Sequence, residues 1–239
     1  MTNMAKCWAV IPAAGTGARM QSARPKQYLT LAGKTLLEYA IAPFVQTPAI
    51  TAVMIALHPE DHYFADLAIS ASKIKTTRGG GTRAQSVFNA LQALQELTTG
   101  GPHPDDFVLV HDAARPCLKQ AQLMHLVDVG KHAEHGCILA LPVQDTVKQV
   151  HAEHIQTTLD RTQLWRALTP QMFRFELLYQ ALQACLQQGV VITDEASAVE
   201  HMGLQPQVLA ADSSNIKVTT MDDLHIAELY LQDMQKQGD

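Results

Sequence analysis

The sequence has few of the features that mark membrane or secreted proteins. Aromatic residues make up only 5% of its 239 residues. No apolar stretch approaches the roughly 20 residues that a membrane-spanning helix needs. The N-terminal segment runs directly into a predicted strand and carries no signal-peptide or transit-peptide pattern. We therefore expect a soluble, cytoplasmic protein with no membrane partner.

The chain also has neither an excess of basic residues nor a closely spaced pair of cysteines. The chain has 18 basic and 23 acidic residues, a net charge of -5. This balance excludes a general attraction for nucleic acid, so a phosphate-rich substrate must be met by a local group of cations. The four cysteines form no C-x-x-C pair, which argues against a zinc site and a disulfide framework. We expect them to be reduced and buried.

Short, almost wholly apolar segments recur, as in CWAVIP, TAVMIAL, DFVLVHD and GCILALPV. Such segments are typical of strands in a parallel sheet that helices cover on both faces. Between them lie segments with helical periodicity, such as TLLEYAIAPFV and TRAQSVFNALQAL. The pattern predicts an α/β fold with a Rossmann-like, mostly parallel sheet flanked by helices, in one domain over residues 1–239.

Two short segments of alternating residues, Val147 to Val150 and Ile155 to Leu159, flank a polar turn. This pattern predicts a β-hairpin. A two-stranded hairpin is only marginally stable by itself. We therefore expect residues 143–161 to form a protruding arm that packs on a second subunit, which makes the protein a homodimer.

The last third of the chain predicts further alternation of helices and strands. One helix should end at Gly189 as its C-terminal cap, and another should begin at Thr193 or Asp194. The segments QPQVLAAD and NIKVT are expected to be strands, and a terminal helix is expected from Met221.

The segment VIPAAGTGARMQSARPKQYL places Gly15 and Gly17 directly after the first predicted strand. In an open parallel sheet, ligands bind at this edge, and glycines let backbone N–H groups approach a phosphate closely. The pattern G-x-x-x-x-G-K-[ST] of the P-loop is absent. The dinucleotide pattern G-x-G-x-x-G fits the two glycines but meets Met20 in the third position.

Two cations, Arg19 and Lys26, follow these glycines. Pro25 stiffens the backbone before Lys26, so the lysine would be held in a fixed position. Fixed cations could stabilise the charge of a triphosphate during phosphoryl transfer. An exposed loop with incidental basic residues is the alternative.

Three other stretches carry candidate residues, each with an alternative. Gly79 to Gly81 precede a helix that Thr82 could cap, and they form either a second phosphate-binding turn or an ordinary one. Asp112 ends a buried strand and could bind Mg²⁺ together with substrate phosphates, or pair with Arg115. Arg115 could instead bind a phosphate. Lys217 is either a site cation or a charged residue on an edge strand.

Several motifs together resemble one enzyme family. PAAGTGARM, RPKQYL, GGGTRAQSV, HDAARP, PVQDTVK, DRTQLWRALTPQMF, TDEASAVE and NIKVT occur in the order found in 2-C-methyl-D-erythritol 4-phosphate cytidylyltransferases, over nearly the whole chain. The resemblance implies a nucleotidyltransferase core, Mg²⁺ or another divalent ion as cofactor, and a homodimer built with the arm. It also implies that CTP and a polyol phosphate are the substrates.

The resemblance also implies roles for single residues. Arg19 and Lys26 would be catalytic and would stabilise the transition state at the α-phosphate of CTP. Asp112 would bind the metal. The nucleotide would be bound by Ala13, Ala14, Gly15, Gly80, Gly81, Ser86 and Lys217. The polyol phosphate would be bound by Arg115, Thr146, Arg161, Thr169 and Thr193, with Thr146 and Arg161 reaching across from the partner's arm.

Other functions remain open at this point. A ribitol 5-phosphate cytidylyltransferase uses the same chemistry on another polyol phosphate, although PKQYL and HDAARP look more like the methylerythritol enzymes. An NAD-dependent oxidoreductase would need the missing third glycine and an acidic residue about 20 positions onward. A catalytically silent nucleotide-binding or scaffold protein is a further alternative. A serine hydrolase has little support, because no G-x-S-x-G motif is present.

Overall fold

The structure is a computed structural model that describes residues 5–15, 24–67, 69, 72–98 and 100–237. Its strands are β1 (Cys7–Ala13), β2 (Thr30–Leu31), β3 (Lys34–Thr35), β4 (Ile50–Leu57), β5 (Ile74–Arg78), β6 (Phe107–Val110), β7 (Cys137–Pro142), β8 (Lys148–His151), β9 (His154–Thr158), β10 (Trp165–Arg174) and β11 (Gln207–Ala210). Its α-helices are α1 (Leu36–Gln46), α2 (Arg83–Gln95), α3 (Gln120–Gly130), α4 (Phe175–Gln187), α5 (Glu195–His201) and α6 (Met221–Gln237).

Seven of the strands form one sheet in the order β11, β7, β10, β6, β1, β4, β5. Only β10 runs antiparallel to its neighbours, which confirms the predicted mostly parallel sheet. The strand β1 lies between β4 and β6, so the chain leaves it toward one edge of the sheet and later returns on its other side. This reversal of strand order opens a crevice at the carboxyl ends of β1 and β6, where such sheets bind ligands.

Helices cover both faces of the sheet, because successive side chains of a strand point to opposite faces. Along β1, Ala9 and Ile11 pack in a core with α1 and α3. The intervening Trp8 and Val10 pack in a second core with α2, α4 and α5. The near-continuous apolar segments of the sequence are thus explained by burial on both sides.

Short-range signals place the helix ends. Thr82 caps α2 by accepting a hydrogen bond from the Gln85 N–H, as predicted. Asp194 caps α5 through the N–H of Ser197, and Gly189, with φ of +67°, follows the end of α4. Both ends agree with the sequence pattern, since a side-chain acceptor and a left-handed glycine satisfy the free backbone groups of a helix end.

The expected strand at NIKVT is wrong. Residues 215–219 form a loop, and their backbone groups bond to the loop after β6 instead of to a strand. The Val218 N–H donates to the Ala114 carbonyl, and Arg115 donates to the Asn215 carbonyl. Lys217 is therefore not on an edge strand but in a loop that lies against the end of β6.

The predicted hairpin is confirmed: β8 and β9 form a separate two-stranded sheet. Every residue of the two strands is exposed. Val150 and Ile155 are cross-strand partners and are 54% and 64% exposed. The hairpin therefore presents an apolar pair that this chain does not cover.

All four cysteines are buried and free, as predicted. In the described parts of the chain, no helix combines the length and the apolar character that crossing a membrane requires.

Candidate active site

A cavity of about 400 Å³ lies at the carboxyl ends of β1 and β6. Its walls come from the turn after β1, the turn carrying Lys26, the glycine-rich turn before α2, the loop after β6, and the 217–219 loop. The described residues that line it are Pro12, Ala13, Ala14, Gly15, Lys26, Gln27, Gly80, Gly81, Thr82, Arg83, Ser86, Asp112, Ala113, Ala114, Lys217 and Thr219. The topology thus brings together segments that are far apart in the sequence.

Most of the residues predicted to bind the nucleotide, the metal or the transition state line this one cavity. They are Ala13, Ala14, Gly15, Lys26, Gly80, Gly81, Ser86, Asp112 and Lys217. Arg19 and Gly17 lie outside the residues that the structure describes. The roles implied for these residues stay predictions, but their common location is an observation.

The glycine-rich turn before α2 is held in place by Ser86. The Gly80 N–H donates to Ser86 Oγ at 3.0 Å, and Ser86 Oγ donates to the Thr82 carbonyl at 2.9 Å. A Cβ on Gly79 would lie 2.4 Å from Ala14 Cβ, so the two turns pack directly against each other. The N-terminus of α2, with its partial positive charge, therefore opens into the cavity beside the turn after β1.

The segment that carries Lys26 is fixed to β1 by its neighbour Gln27. Gln27 is 3% exposed, and its side-chain Nε2 donates to the Ala13 carbonyl at 2.8 Å. Lys26 Nζ lies 3.5 Å from the Val218 carbonyl, next to Lys217 in the chain. Two lysines from distant segments thus meet at the cavity, which supplies local positive charge in a chain of net negative charge.

Asp112 is the central anion of the cavity and is surrounded by three cations. Arg83 Nε donates to its Oδ1 at 2.9 Å, whereas Lys217 Nζ and Arg115 Nε lie 3.0 and 3.4 Å from its Oδ2. Burial alone would raise the pKa of Asp112. The charges of Arg83, Lys217 and Arg115 outweigh that effect and hold the pKa well below its usual range.

This arrangement does not fit a metal ion that the protein alone would hold. No group of three or more metal-ligating side chains occurs among the described residues. The carboxylate of Asp112 is already compensated by three cations, which disfavours a further cation beside it. The predicted ion pair with Arg115 is present, whereas Asp112 as a metal ligand stays a prediction.

The residues predicted to bind the polyol phosphate are not among those that line the cavity. Arg115 is 7% exposed and donates to the Asn215 carbonyl at 2.8 Å as well as to Asp112. Burial lowers the pKa of Arg115, and Asp112 partly offsets that effect. Thr169 is 4% exposed and bonds within the core. Both side chains serve internal contacts.

The other three predicted substrate residues are exposed. Thr193 precedes α5, and its N–H donates to Ser197 Oγ. Thr146 and Arg161 flank the hairpin, where Arg161 donates to the Gln144 carbonyl. Within one chain, neither residue of the arm lines the cavity, so their predicted role depends on a partner subunit.

A buried histidine supports the loop after β6. Thr169 Oγ1 accepts from the Asp112 N–H at 3.1 Å, so its own hydrogen is available to His111 Nδ1, 3.0 Å away. His111 Nε2 then donates to the Arg115 carbonyl at 3.1 Å. Burial lowers the pKa of His111 from its ordinary value of 6.5 to about 4, so the ring is neutral at pH 7.

Because the pKa of His111 is lowered in the folded protein, we expect the fold to lose stability in acid. The folded protein binds a proton on His111 less tightly than the unfolded chain does. The contribution of the neutral His111 ring to the free energy of unfolding is therefore fully present above pH 6.5 and is lost as the pH falls toward 4. We expect His111 to cost the native state about 3 kcal/mol by pH 4. Urea unfolding of the wild type and His111→Gln, whose amide offers one acceptor and one donor, should diverge below pH 6.5. Parallel pH profiles would contradict this prediction.

The sequence analysis missed two residues of the ion-pair network beside the cavity. Arg83 lines the cavity and donates to Glu195, which is fully buried at the start of α5. The position of Arg83, directly after GGGT at a predicted helix start, was an available signal. The pairing with Glu195 could not be predicted, because the two residues lie 112 positions apart in the sequence.

The fold and the cavity define a class of protein. A mostly parallel sheet whose glycine-rich turns and lysines meet at the carboxyl ends of β1 and β6 is typical of an α/β nucleotide-binding enzyme, here of the nucleotidyltransferase type. Comparisons of sequence and structure with known proteins identify the family. The family model described as 2-C-methyl-D-erythritol 4-phosphate cytidylyltransferase matches residues 7–233. The chain belongs to this family.

Individual relatives agree over almost the full length. The enzymes of this description from Pseudoalteromonas atlantica and Vibrio vulnificus are each 48% identical, covering 93% and 96% of this chain and 94% and 96% of their own lengths. The crystal structure of the Francisella tularensis 2-C-methyl-D-erythritol 4-phosphate cytidylyltransferase is 36% identical, with a TM-score of 0.82, over 95% of this chain and all of that chain. The protein is therefore a CTP-dependent cytidylyltransferase, and neither the ribitol phosphate nor the oxidoreductase alternative is favoured.

Proposed function

We propose that this protein joins CTP and 2-C-methyl-D-erythritol 4-phosphate to give 4-diphosphocytidyl-2-C-methyl-D-erythritol and pyrophosphate. The observation that carries the proposal is the convergence of two glycine-containing turns with Lys26 and Lys217 on one cavity, in a chain of this family. Glycine turns and a helix N-terminus suit a triphosphate, and the lysines supply charge where phosphoryl transfer develops it. The buried free thiols support a reducing, cytoplasmic location.

The nucleophile in this reaction does not need a general base. A phosphate monoester has a second pKa of about 6, so its oxygen is already anionic at neutral pH. It attacks the α-phosphorus of CTP in line with the departing pyrophosphate, so two polyanions must approach each other. The task of the protein is to screen their repulsion and to align the reacting atoms.

The proposed roles follow from position. Lys26 would stabilise charge at the α-phosphate, together with Arg19, which lies outside the described residues. Lys217, whose side chain is 38% exposed, would contact the phosphates from the opposite loop. Backbone groups of Ala13, Ala14, Gly15, Gly80 and Gly81, with Ser86 holding the second turn, would bind the nucleotide.

The divalent ion is proposed to arrive with the nucleotide. Mg²⁺ favours phosphate oxygens and water over an all-protein site. A single carboxylate compensated by three cations agrees with that preference.

The polyol phosphate site is proposed to be completed by a second subunit. Thr146 and Arg161 would reach across from the partner's arm, while Arg115, Thr169 and Thr193 would belong to the same chain as the cavity. The exposure of Val150 and Ile155 supports such a dimer, because burying this apolar pair would stabilise a hairpin that is marginal alone.

Pyrophosphate release tests the proposed function. Purified protein with Mg²⁺ and CTP is assayed with 2-C-methyl-D-erythritol 4-phosphate and, in parallel, with ribitol 5-phosphate. We expect release with the first acceptor alone. Release only with ribitol 5-phosphate would keep the chemistry and change the substrate, and no release with either would overturn the proposal.

The dimer makes a separate prediction. Changing Ile155 to Asp places a charge in the apolar pair, so we expect the dimer to dissociate and turnover to fall with it. Light scattering should give about twice 26.2 kDa for the wild type and 26.2 kDa for the variant. The control is Thr157→Asp, which puts the same charge on the same exposed strand outside this pair. A monomeric wild type, or an unchanged Ile155→Asp dimer, would contradict the prediction.

Subunit mixing tests whether the arm completes the partner's site. Lys26→Ala and Arg161→Ala variants, each inactive alone, are co-expressed. If each site uses Lys26 of one chain and Arg161 of the other, mixed dimers contain one intact site, and about a quarter of all sites should be active. Absence of recovered activity in confirmed mixed dimers would place both residues in the same chain's site.

A further inference from the structure

Arg83, whose side chain is 27% exposed, and the fully buried Glu195 form an ion pair beside the cavity. Nη1 and Nη2 of Arg83 donate to Oε1 and Oε2 of Glu195 at 2.6 and 2.9 Å, a bidentate contact. The third nitrogen, Nε, donates to Asp112 Oδ1 at 2.9 Å. The charges of Glu195 and Asp112 outweigh the burial of Arg83 and raise its pKa. The guanidinium thus connects two carboxylates that come from different segments of the fold.

Glu195 is a rigid anchor for this connection. Its side chain is fully buried, and it occupies the first turn of α5. The start of α5 is tied to β10 by Gln171, which donates to Asp194 Oδ2 at 2.9 Å and accepts from the Ala196 N–H at 3.0 Å. Among the described residues, Arg83 is the one cation within ion-pair distance of Glu195. The position of Arg83 is therefore determined by the sheet and α5, and not by the solvent.

The connection continues from Asp112 to the cavity. Lys217 Nζ lies 3.0 Å from Asp112 Oδ2, and its side chain is 38% exposed. Glu195, Arg83, Asp112 and Lys217 form one chain of ion pairs of alternating charge that ends at the cavity. The contact with Asp112 therefore orients the ammonium group at the end of the long Lys217 side chain.

We propose that Arg83 and Glu195 are positioning residues that hold Asp112, and through it the Lys217 ammonium group, where a triphosphate binds. This inference rests on the proposed function and assigns the pair a role in it. All three guanidinium nitrogens of Arg83 already donate to carboxylates, so its charge is directed away from a phosphate. When phosphate oxygens bind Lys217, Arg83 keeps the buried Asp112 compensated, so that Asp112 can share the ammonium group with the phosphate and still hold it in place.

The test separates positioning from a merely structural role. Removing one partner of a buried ion pair is strongly destabilising, whereas replacing both with apolar residues of similar size is often neutral. We therefore compare Arg83→Met, Glu195→Leu and the double variant by thermal unfolding and by calorimetric binding of inorganic tripolyphosphate. We expect both single variants to lose thermal stability and the double variant to recover most of it. We also expect tripolyphosphate affinity to stay about tenfold lower in the double variant.

A second background locates the effect at Lys217. In a Lys217→Met protein, the double substitution should no longer change tripolyphosphate affinity, because the group that it positions is absent. An equal loss in both backgrounds would overturn the proposal, and so would wild-type affinity in the stable double variant. Failure of the wild type to bind tripolyphosphate would overturn it as well. If the double variant does not fold, Arg83→Lys takes its place, because it keeps the charge but not the three contacts. Its tripolyphosphate affinity is then compared in the wild-type and Lys217→Met backgrounds.

A matched control removes another ion pair at the opposite edge of the sheet. Asp105 precedes β6 and Arg174 ends the antiparallel β10, with Arg174 Nη1 3.5 Å from Asp105 Oδ1. The Arg174→Met, Asp105→Leu double variant changes charge equally and should bind tripolyphosphate as the wild type does. Because binding is measured without turnover, a failed proposed function would appear in the pyrophosphate assay of the wild type and would leave this comparison intact.

Discussion

Replacing Lys26 with alanine should lower kcat about 10²- to 10³-fold, the usual effect of removing one preorganised donor of charge from a transition state. Lys26 lines the cavity on a segment that Gln27 fixes to the end of β1. Its ammonium group lies 3.5 Å from the Val218 carbonyl at the cavity wall, outside the three apolar cores, so its removal should cost little stability. Steady-state pyrophosphate release and thermal unfolding, measured on the same preparation, check both parts.

Lys34→Ala is the matched control for Lys26→Ala. Lys34 is exposed on β3, lies over the Tyr39 ring at 5.9 Å, and does not line the cavity. The Lys34→Ala substitution removes the same charge from a surface outside the cavity and should keep wild-type turnover. Wild-type turnover in Lys26→Ala would refute the catalytic role of Lys26. An equal loss in both variants would show that general charge, and not this position, matters.

Adding a methyl group at Gly79 should separate the two turns that form the nucleotide site. The new Cβ would lie 2.4 Å from Ala14 Cβ, 3.0 Å from Ser86 Oγ and 3.1 Å from the Leu57 carbonyl oxygen. Ala14 Cβ and the carbonyl oxygen cannot rotate away, and Ser86 Oγ is held by its hydrogen bonds in the turn. Such overpacking costs about 1–3 kcal/mol of stability. A shift of about 1 Å in the turn would lower kcat/KM about 10²-fold. Urea unfolding and initial rates at varied CTP measure the two effects.

Gly81→Ala is the control for this change. Gly81 is two residues away in the same turn, and a Cβ there would meet nothing within 4 Å. Its free energy of unfolding should therefore stay near that of the wild type, and any lost activity would come from the methyl group in the cavity. If Gly79→Ala keeps both wild-type stability and wild-type kcat/KM, the close packing of the two turns is not needed for the site.

Much of the site could be predicted because its signals are local. Gly15, Lys26 and Gly80 lie in short motifs directly after strands or before a helix, and a parallel sheet places such segments at one edge. The chemistry of these residue types at these positions followed from their backbone freedom and their charge. The family resemblance added the substrate and the individual roles.

The expectations that failed or stayed incomplete depend on contacts between distant segments. NIKVT has the composition of a strand, yet its backbone groups bond to the loop after β6, a choice that alternation in one segment cannot reveal. Arg115 and Thr169 carry groups suited to a phosphate, yet both are buried in internal hydrogen bonds. Composition specifies which bonds a side chain can make but not which partner the fold brings near it.

The sequence by itself determined the α/β class, the helix caps at Thr82 and Asp194, the hairpin, and the family, because each depends on periodicity, turn chemistry or motifs within short segments. Only the tertiary structure decided that Asp112 is shared by Arg83, Lys217 and Arg115, and that Arg83 binds Glu195. The energy of such buried charges depends on distance and desolvation in three dimensions. Those quantities exist only once distant segments have packed together.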